Sequence, residues 1–403
     1  MLLVPMEPFL ILTWSLIFKT KKLSVKMKKI MLASILSLCI CIPVYSFSQV
    51  KTNVPGKDSF LLNDSHFHLT NYVQEGTDIH KFLQIMGNKV GRVALFGIPL
   101  QQMWNYSNTG NFAPTYYLAT DDPLYYYSFT DAYIAMAYKS LTKQEQARFD
   151  PMITGFNPAD MYAADHIRRV LMTFPGVFTG IGEFTIHKEF VSSKVAGPTA
   201  SLTNPALDRI LDFCAETGLL VILHNDIDMP FPKTGQENWD VVQLRELFKR
   251  HKKTTIIWAH CGVGRIVRPV KDQMALLDKA LSDSVSDHVY IDISWTEVAK
   301  YITATPEATA NTAAVINKHP DRFIMGTDEV APNDQASYLK IMDMYKPLLE
   351  KLTPDAKQKL LRGNYERLFD AARIKVRAWE KAHVNDQQKP PAPTPSSGVG
   401  DNK

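Results

Sequence analysis

Asp64-Ser65-His66-Phe67-His68, entered through Phe60-Leu61-Leu62-Asn63, is the stretch on which the reading of this chain turns. Neighbouring side chains on a strand point to opposite faces, so His66 and His68 share one face. Two imidazoles side by side at the end of a strand suit one divalent metal. Alone the pair is weak evidence. With 11 histidines in 403 residues, one His-x-His arises by chance roughly 0.3 times per such chain. Two satisfied histidines at a strand edge explain it equally well, so the downstream sequence has to decide.

Outward from this stretch, short apolar runs alternate with longer helical patterns, which predicts β/α units around a parallel sheet. The expected strands are residues 60–66, 92–97, 151–155, 177–183, 219–224, 254–260, 289–294 and 322–328. Helical patterns lie at 160–172, 205–217, 239–252, 269–282 and 306–319. Eight strands across the 262 residues from His66 to Asp328 match the ~250 residues of a (β/α)8 TIM barrel. A doubly wound open sheet fits less well, because no Gly-rich phosphate turn follows the first strand.

Two insertions interrupt the alternation. Residues 99–130, after the second strand, carry Trp104, Tyr106, Phe112, Tyr116, Tyr117 and Tyr125, and further aromatics up to Phe129. Residues 185–204 are polar and directly follow Glu183. Long loops in a compact domain are commonly functional, and both would stand over the active face of a barrel. Packing of the aromatics on themselves or at a subunit interface is the alternative.

The net charge of +4 is misleading. Residues 1–48 hold six lysines and one glutamate, a balance of +5, which leaves the remainder at −1. Nothing there favours nucleic acid. The same segment reads as a secretory leader: Met27-Lys28-Lys29, the apolar run 30–44, and Ser46-Phe47-Ser48 before Gln49. Met27 is read as the true start. Neither apolar run reaches the ~20 residues of a membrane span. Residues 49–384 form the expected barrel domain, and 385–403, rich in proline, an expected disordered tail. Only Cys214 and Cys261 lie outside the leader, too few for a disulfide framework, although one bridge between them is open.

Four more expected strands finish in a metal-competent or proton-transferring residue: Glu183, His224, His260 and Asp328. Such an ending, after a buried apolar run, is costly without a partner. In a barrel all these ends meet on one face.

The ordered set His-x-His, Glu, His, His, Asp resembles the amidohydrolase superfamily of metal-dependent barrels, and most of all the amidohydrolase-related branch that includes decarboxylases and lactone hydrolases. Gly363-Asn364-Tyr365-Glu366-Arg367-Leu368-Phe369 resembles the segment that closes that branch. The resemblance implies that His66, His68 and Asp328 bind a first metal and that His224 is a further ligand. Glu183 stands where many members carry a carboxylated lysine and others a bridging glutamate. One ion with Glu183 beside it, or two ions bridged by Glu183, both follow, and one is preferred. With two, His224 and His260 would hold the second. With one, His260 is free to polarise a carbonyl.

A metal lowers the pKa of its water to about 7, so hydroxide forms at neutral pH. Zinc is the first expectation, with manganese, iron or cobalt also suited. Asp328 would shuttle the proton and His260 would steady the oxyanion. Arg265, His187 and Trp104 are candidate substrate contacts. Cys261 reads as a small buried residue. The expectation is an exported, metal-dependent hydrolase of a small-molecule amide, ester or lactone. A non-oxidative decarboxylase is the runner-up, and a barrel that binds metal or ligand without turnover is the alternative of another class. No nucleic-acid partner and no stable membrane span are expected, and a homo-oligomer is left open.

Overall fold

Strand β1 (Leu62–His68) is buried along its whole length, as a parallel strand covered on both faces must be. This computed structural model describes residues 60–71, 75–98, 127–188, 200–228, 239–264, 269 and 272–383, with the short strands 103–104, 118–119 and 191–192. The leader, the tail and much of the first insertion lie outside them. After β1 come β2 (Val90–Phe96), β3 (Phe149–Ile153), β4 (Gly180–Lys188) and β5 (Leu220–Asn225). β6 (Ile256–Trp258), β7 (Val289–Asp292), β8 (Phe323–Ile324) and β9 (Glu329–Val330) complete the parallel sheet, in the order β8-β7-β6-β5-β4-β3-β2-β1-β9.

β8 and β9 belong to one short segment, so residues 323–330 pair with β7 on one side and β1 on the other. Ser65 N–H donates to the Met325 carbonyl at 3.0 Å, and Asp328 N–H to that of His66 at 2.7 Å. The sheet is therefore curled and TIM-barrel-like within a mixed α/β fold. Val191–Ser192 folds back antiparallel on the end of β4, and Met103–Trp104 pairs with Leu118–Ala119 in a separate two-stranded sheet.

Strand periodicity divides the core in two. Val221 and Leu223 face the outer layer between sheet and helices, while Leu220 and Ile222 face inward with Ala94, Phe96, Ile257 and Ile324. The surrounding helices include α1 (Ile79–Met86), α2 (Tyr127–Ser140), α3 (Ala163–Thr173), α4 (Pro205–Thr217), α5 (Trp239–Arg250), α6 (Gln273–Ser282) and α7 (Pro306–Lys318). α4 shows why the helical readings hold. Asn204 caps it, Pro205 opens it, and Gly218 ends it at a φ of 81° that favours glycine.

Several boundaries move. β4 continues to Lys188, so residues 185–188, expected in a polar loop, are strand, and His187 lies in it. β6 stops at Trp258 because His260 and Cys261 turn left-handed, at φ 57° and 56°. Cys214 and Cys261 are both free and buried, so no bridge joins them. Among the described residues no helix is long and apolar enough to cross a membrane.

The closing helix α8 (Asn364–His383) was not anticipated as a helix, and it gives the Gly363–Phe369 motif its physical role. Tyr365, Leu368 and Phe369 plug the inner core from the end where the strands begin. Tyr365 Oη donates to Asp150 Oδ2 at 2.8 Å. Asp150, wholly buried, also meets Arg92 at 2.7 Å and Arg373 at 2.5 Å. At the opposite end, buried Asp131 of α2 accepts the backbone N–H groups of Thr154 and Gly155 beyond β3, at 2.8 and 3.0 Å.

Two stability predictions follow. Asp150→Ala strands two guanidinium groups, and it should cost about 3–5 kcal/mol in urea unfolding. A cost under about 1 kcal/mol would mean the cluster is solvated. Burial pushes the Asp131 carboxyl from 3.8 up to about 7, against its backbone hydrogen bonds. The folded state then binds more protons than the unfolded one, so stability falls as pH rises between those two values. Across that window the wild type should lose on the order of 4 kcal/mol relative to Asp131→Asn. Parallel pH profiles of the two proteins would refute the assignment.

Candidate metal centre

Three histidines share one arrangement: Nδ1 rests on an oxygen supplied by another strand or its extension, and Nε2 points into a common centre. His66 Nδ1 lies 2.8 Å from Asp292 Oδ2 at the end of β7. His68 Nδ1 lies 3.3 Å from the Gly97 carbonyl just past β2. His260 Nδ1 lies 3.3 Å from the Ser294 carbonyl and 3.1 Å from Ser294 Oγ, just past β7. Ser294 Oγ donates its own proton to Asp292 at 2.6 Å, so it accepts from His260. In the neutral ring each Nδ1 then carries the proton and each Nε2 the lone pair.

The Nε2 atoms face two carboxylates. His66 Nε2 is 3.2 Å from Asp328 Oδ1 and 3.6 Å from Glu183 Oε2. His68 Nε2 is 3.2 Å from Asp328 and 3.9 Å from Glu183. His260 Nε2 is 3.3 Å from Glu183 Oε1. One donor atom each from His66, Glu183, His260 and Asp328 lies within 4.8 Å of the other three. Nε2 of His66 and of His260 is buried and meets hydrogen-bond geometry with no partner. Orphaned nitrogens beside carboxylates, each braced from behind, fit a divalent cation.

His224 joins the same cluster from β5. Its Nδ1 contacts Glu183 Oε1, and its Nε2 is 3.1 Å from Asp226 Oδ1, so carboxylates engage both nitrogens.

The electrostatics favour a cation. Burial opposes the Asp328 anion, yet the neighbouring His66 holds its carboxyl well below the ordinary range. Burial likewise opposes the Glu183 anion, and the charges of Lys188 and His224 hold it well down. For His66, burial would lower the imidazolium, but Asp328 and Asp292 raise it well above its usual value. Burial lowers His260, with no neighbour strong enough to reverse it, so its neutral form is favoured.

Four non-glycine residues at these strand ends adopt left-handed backbone: His260 at φ 57°, Cys261 at 56°, Trp295 at 86° and Asp328 at 55°. Each costs roughly 1–2 kcal/mol, and such strain gathers at functional sites. Here it turns His260 and Asp328 inward where a continuing strand would carry them past the centre. Burial also pushes the Cys261 thiol well up, so it is inert, as expected.

Sequence reading missed Asp292, Asp226, Lys188 and Trp295. Asp292 was detectable, since an acid between Ile291 and Ile293 meets the same burial cost that singled out the strand-end histidines. Lys188 was hidden by the misplaced loop. His187 is half-buried in β4. Arg265 and the Trp104 side chain lie outside the described residues. His251 and His319 sit on Asp208 and Asp278, both at 2.6 Å, in structural helix contacts.

With this geometry in place, comparison with known proteins assigns the family. The family model described as Amidohydrolase matches residues 64–371, and the chain belongs to that family. It is a family of enzymes. No curated protein matches the chain. Among solved structures, an amidohydrolase of Burkholderia multivorans with bound zinc is 12% identical, with a TM-score of 0.45, covering 77% of this chain and 99% of its own. The dihydroorotase of Campylobacter jejuni is also 12% identical, at 0.45, covering 77% and 83%. A dihydroxybenzoic acid decarboxylase of Polaromonas, holding manganese and 2-nitroresorcinol, is 11% identical, at 0.45, covering 77% and 97%.

The bracing carboxylate can be tested apart from turnover. Asp292→Asn keeps the shape but weakens the hold on His66, and it should lower metal affinity about 10–100-fold with the far-UV spectrum unchanged. Unaltered affinity in a chelator competition would show that Asp292 does not orient the ligand.

Proposed function

We propose that this protein is a metal-dependent hydrolase acting on a C–N or C–O bond of a small-molecule amide, ester or lactone. It works on a closed (β/α)8 barrel with the aromatic-rich insertion 99–130 after its second strand. The observation that carries the reading is the convergence of His66, Glu183, His260 and Asp328 within 4.8 Å, with the His66 and His260 Nε2 atoms beside carboxylates yet without a hydrogen bond. His66, His68, Glu183, His260 and Asp328 would hold the ion, zinc first, with manganese, iron or cobalt suited by the same donors. When bound, a divalent ion supplies a Lewis acid and a water of lowered pKa.

The remaining work falls to the chain's own groups. Asp328, ionised at neutral pH, accepts the proton of the attacking water at a carboxylate oxygen and returns it to the departing nitrogen or oxygen. His260, with its proton on Nδ1 toward Ser294, offers a lone pair to the centre. This supports a ligand role for His260, with oxyanion stabilisation as the alternative role. Phe96 packs against the His66 and His68 rings, at 5.1 and 4.6 Å between centroids, and keeps water from that side. The leader 1–48 supports export, to the periplasm or beyond.

The test uses the chain from Gln49 onward. Elemental analysis should find stoichiometric divalent metal, and Asp328→Ala should lower turnover about 10²–10⁴-fold in a protein that still folds. A variant retaining most activity would sink the shuttle. Isotope from labelled water should enter the product. Carbon dioxide release without it would establish decarboxylation instead, and bound metal with no turnover across ester, lactone and amide panels would establish a binding barrel.

A further inference from the structure

Lys188 is an unexpected charge in this place. It stands at the end of β4, five residues beyond Glu183, and only 7% of it is exposed. A lysine buried that far pays a large desolvation cost unless it answers nearby negative charge. Its Nζ lies 4.9 Å from the centroid of the Trp295 ring, a cation–π contact. Trp295 in turn packs on His260, 5.0 Å between ring centroids, and its left-handed backbone at φ 86° belongs to the turn that puts it there. Lys188 is thus tied through one indole to the ring that meets Glu183.

The Glu183 side is where a second ion would need its ligands. The resemblance assigns a two-ion centre His224 and His260 there, with Glu183 bridging. His224 has both nitrogens committed to carboxylates, Glu183 and Asp226. Those two carboxylates gather negative charge on this side of the centre. His260 directs Nε2 to the cluster it shares with His66 and Asp328. Lys188 reaches this side through Trp295 and His260, and its charge lowers both the Glu183 carboxyl and the His224 imidazolium.

We propose that Lys188, seated on Trp295, stands in for a second cation on the Glu183–His224 side and so keeps the centre to one ion. This rests on the metal-centre reading above. Lys188 acts through its neighbours as a positioning residue, and it would set how many divalent charges the carboxylates accept.

The experiment is a zinc titration of the metal-stripped full chain, followed by chelator competition and elemental analysis after gel filtration. The wild type should saturate at one equivalent. Lys188→Met, which keeps the alkyl length over Trp295 and removes the charge, should take a second equivalent at least tenfold more tightly than the wild type takes any excess. Lys188→Arg, which keeps the charge, should return to one. A wild type that saturates at two equivalents overturns the inference while the metal centre stands, and it does so even if Lys188→Met does not fold. A Lys188→Met protein identical to wild type overturns it too. A wild type that binds no zinc overturns the inference and the metal-centre reading together.

Discussion

The buried carboxylate of Asp64 holds the two ends of this sheet together. Oδ1 accepts the backbone N–H groups of His66 at 3.0 Å and Thr327 at 2.9 Å. Oδ2 accepts the hydroxyls of Thr327 at 2.6 Å and Tyr338 at 2.7 Å. Burial raises this carboxyl, and the four donors work against it. The residues joined are about 260 positions apart in sequence, and they meet where β1 and the segment 323–330 run side by side. Gly326 makes the approach close enough. A Cβ there would lie 2.7 Å from that of His66 and 2.9 Å from its backbone nitrogen. His66 and His68 face Asp328 because this seam is tight.

The two ends of the sheet spend their polar groups differently. Where the strands begin, Asp150 is saturated by Arg92, Arg373 and Tyr365, and α8 seals the inner core over it. Both oxygens of that carboxylate are engaged by donors of the chain itself, as in a structural network. Where the strands end, the orphaned atoms accumulate: Nε2 of His66 and His260, Oγ1 of Thr70 and Thr154, Oδ1 of Asn225. Polar atoms buried without partners are expensive to fold. Their concentration at the end that also carries the left-handed residues marks it as the working face.

Much of this was legible in the sequence, for identifiable reasons. Short apolar runs such as 220–223 and capped helices such as Pro205–Thr217 report local physics, and local physics survives packing. The strand-end histidines and carboxylates were legible because burying them is costly. What escaped was set by tertiary geometry. The true end of β4 depends on register shifts against β5, after which His187 still pairs with Asn225. The left-handed turn at His260 ended β6 early where propensity extended it. Asp64 was part of the quoted motif, yet its role needed Thr327 and Tyr338, which no local pattern points to. The Gly363–Phe369 motif was visible as a resemblance, while its function as a plug was visible only once the inner core had a bottom.

The orientation of the site histidines is itself a consequence of the curl of the sheet. Each imidazole is aimed by an oxygen that its own strand does not own: His66 by Asp292 of β7, His68 by the carbonyl past β2, His260 by Ser294 past β7. A His-x-His pair on an isolated strand would rotate freely about χ1 and χ2 and present either nitrogen. In the curled sheet a neighbouring strand fixes which nitrogen faces inward, and Nε2 of His66 and of His260 meets Glu183 and Asp328 in one cluster. That explains why the motif alone was weak evidence and the ordered set was strong. The first specifies two residues, whereas the second specifies the strands that decide which atom each residue offers.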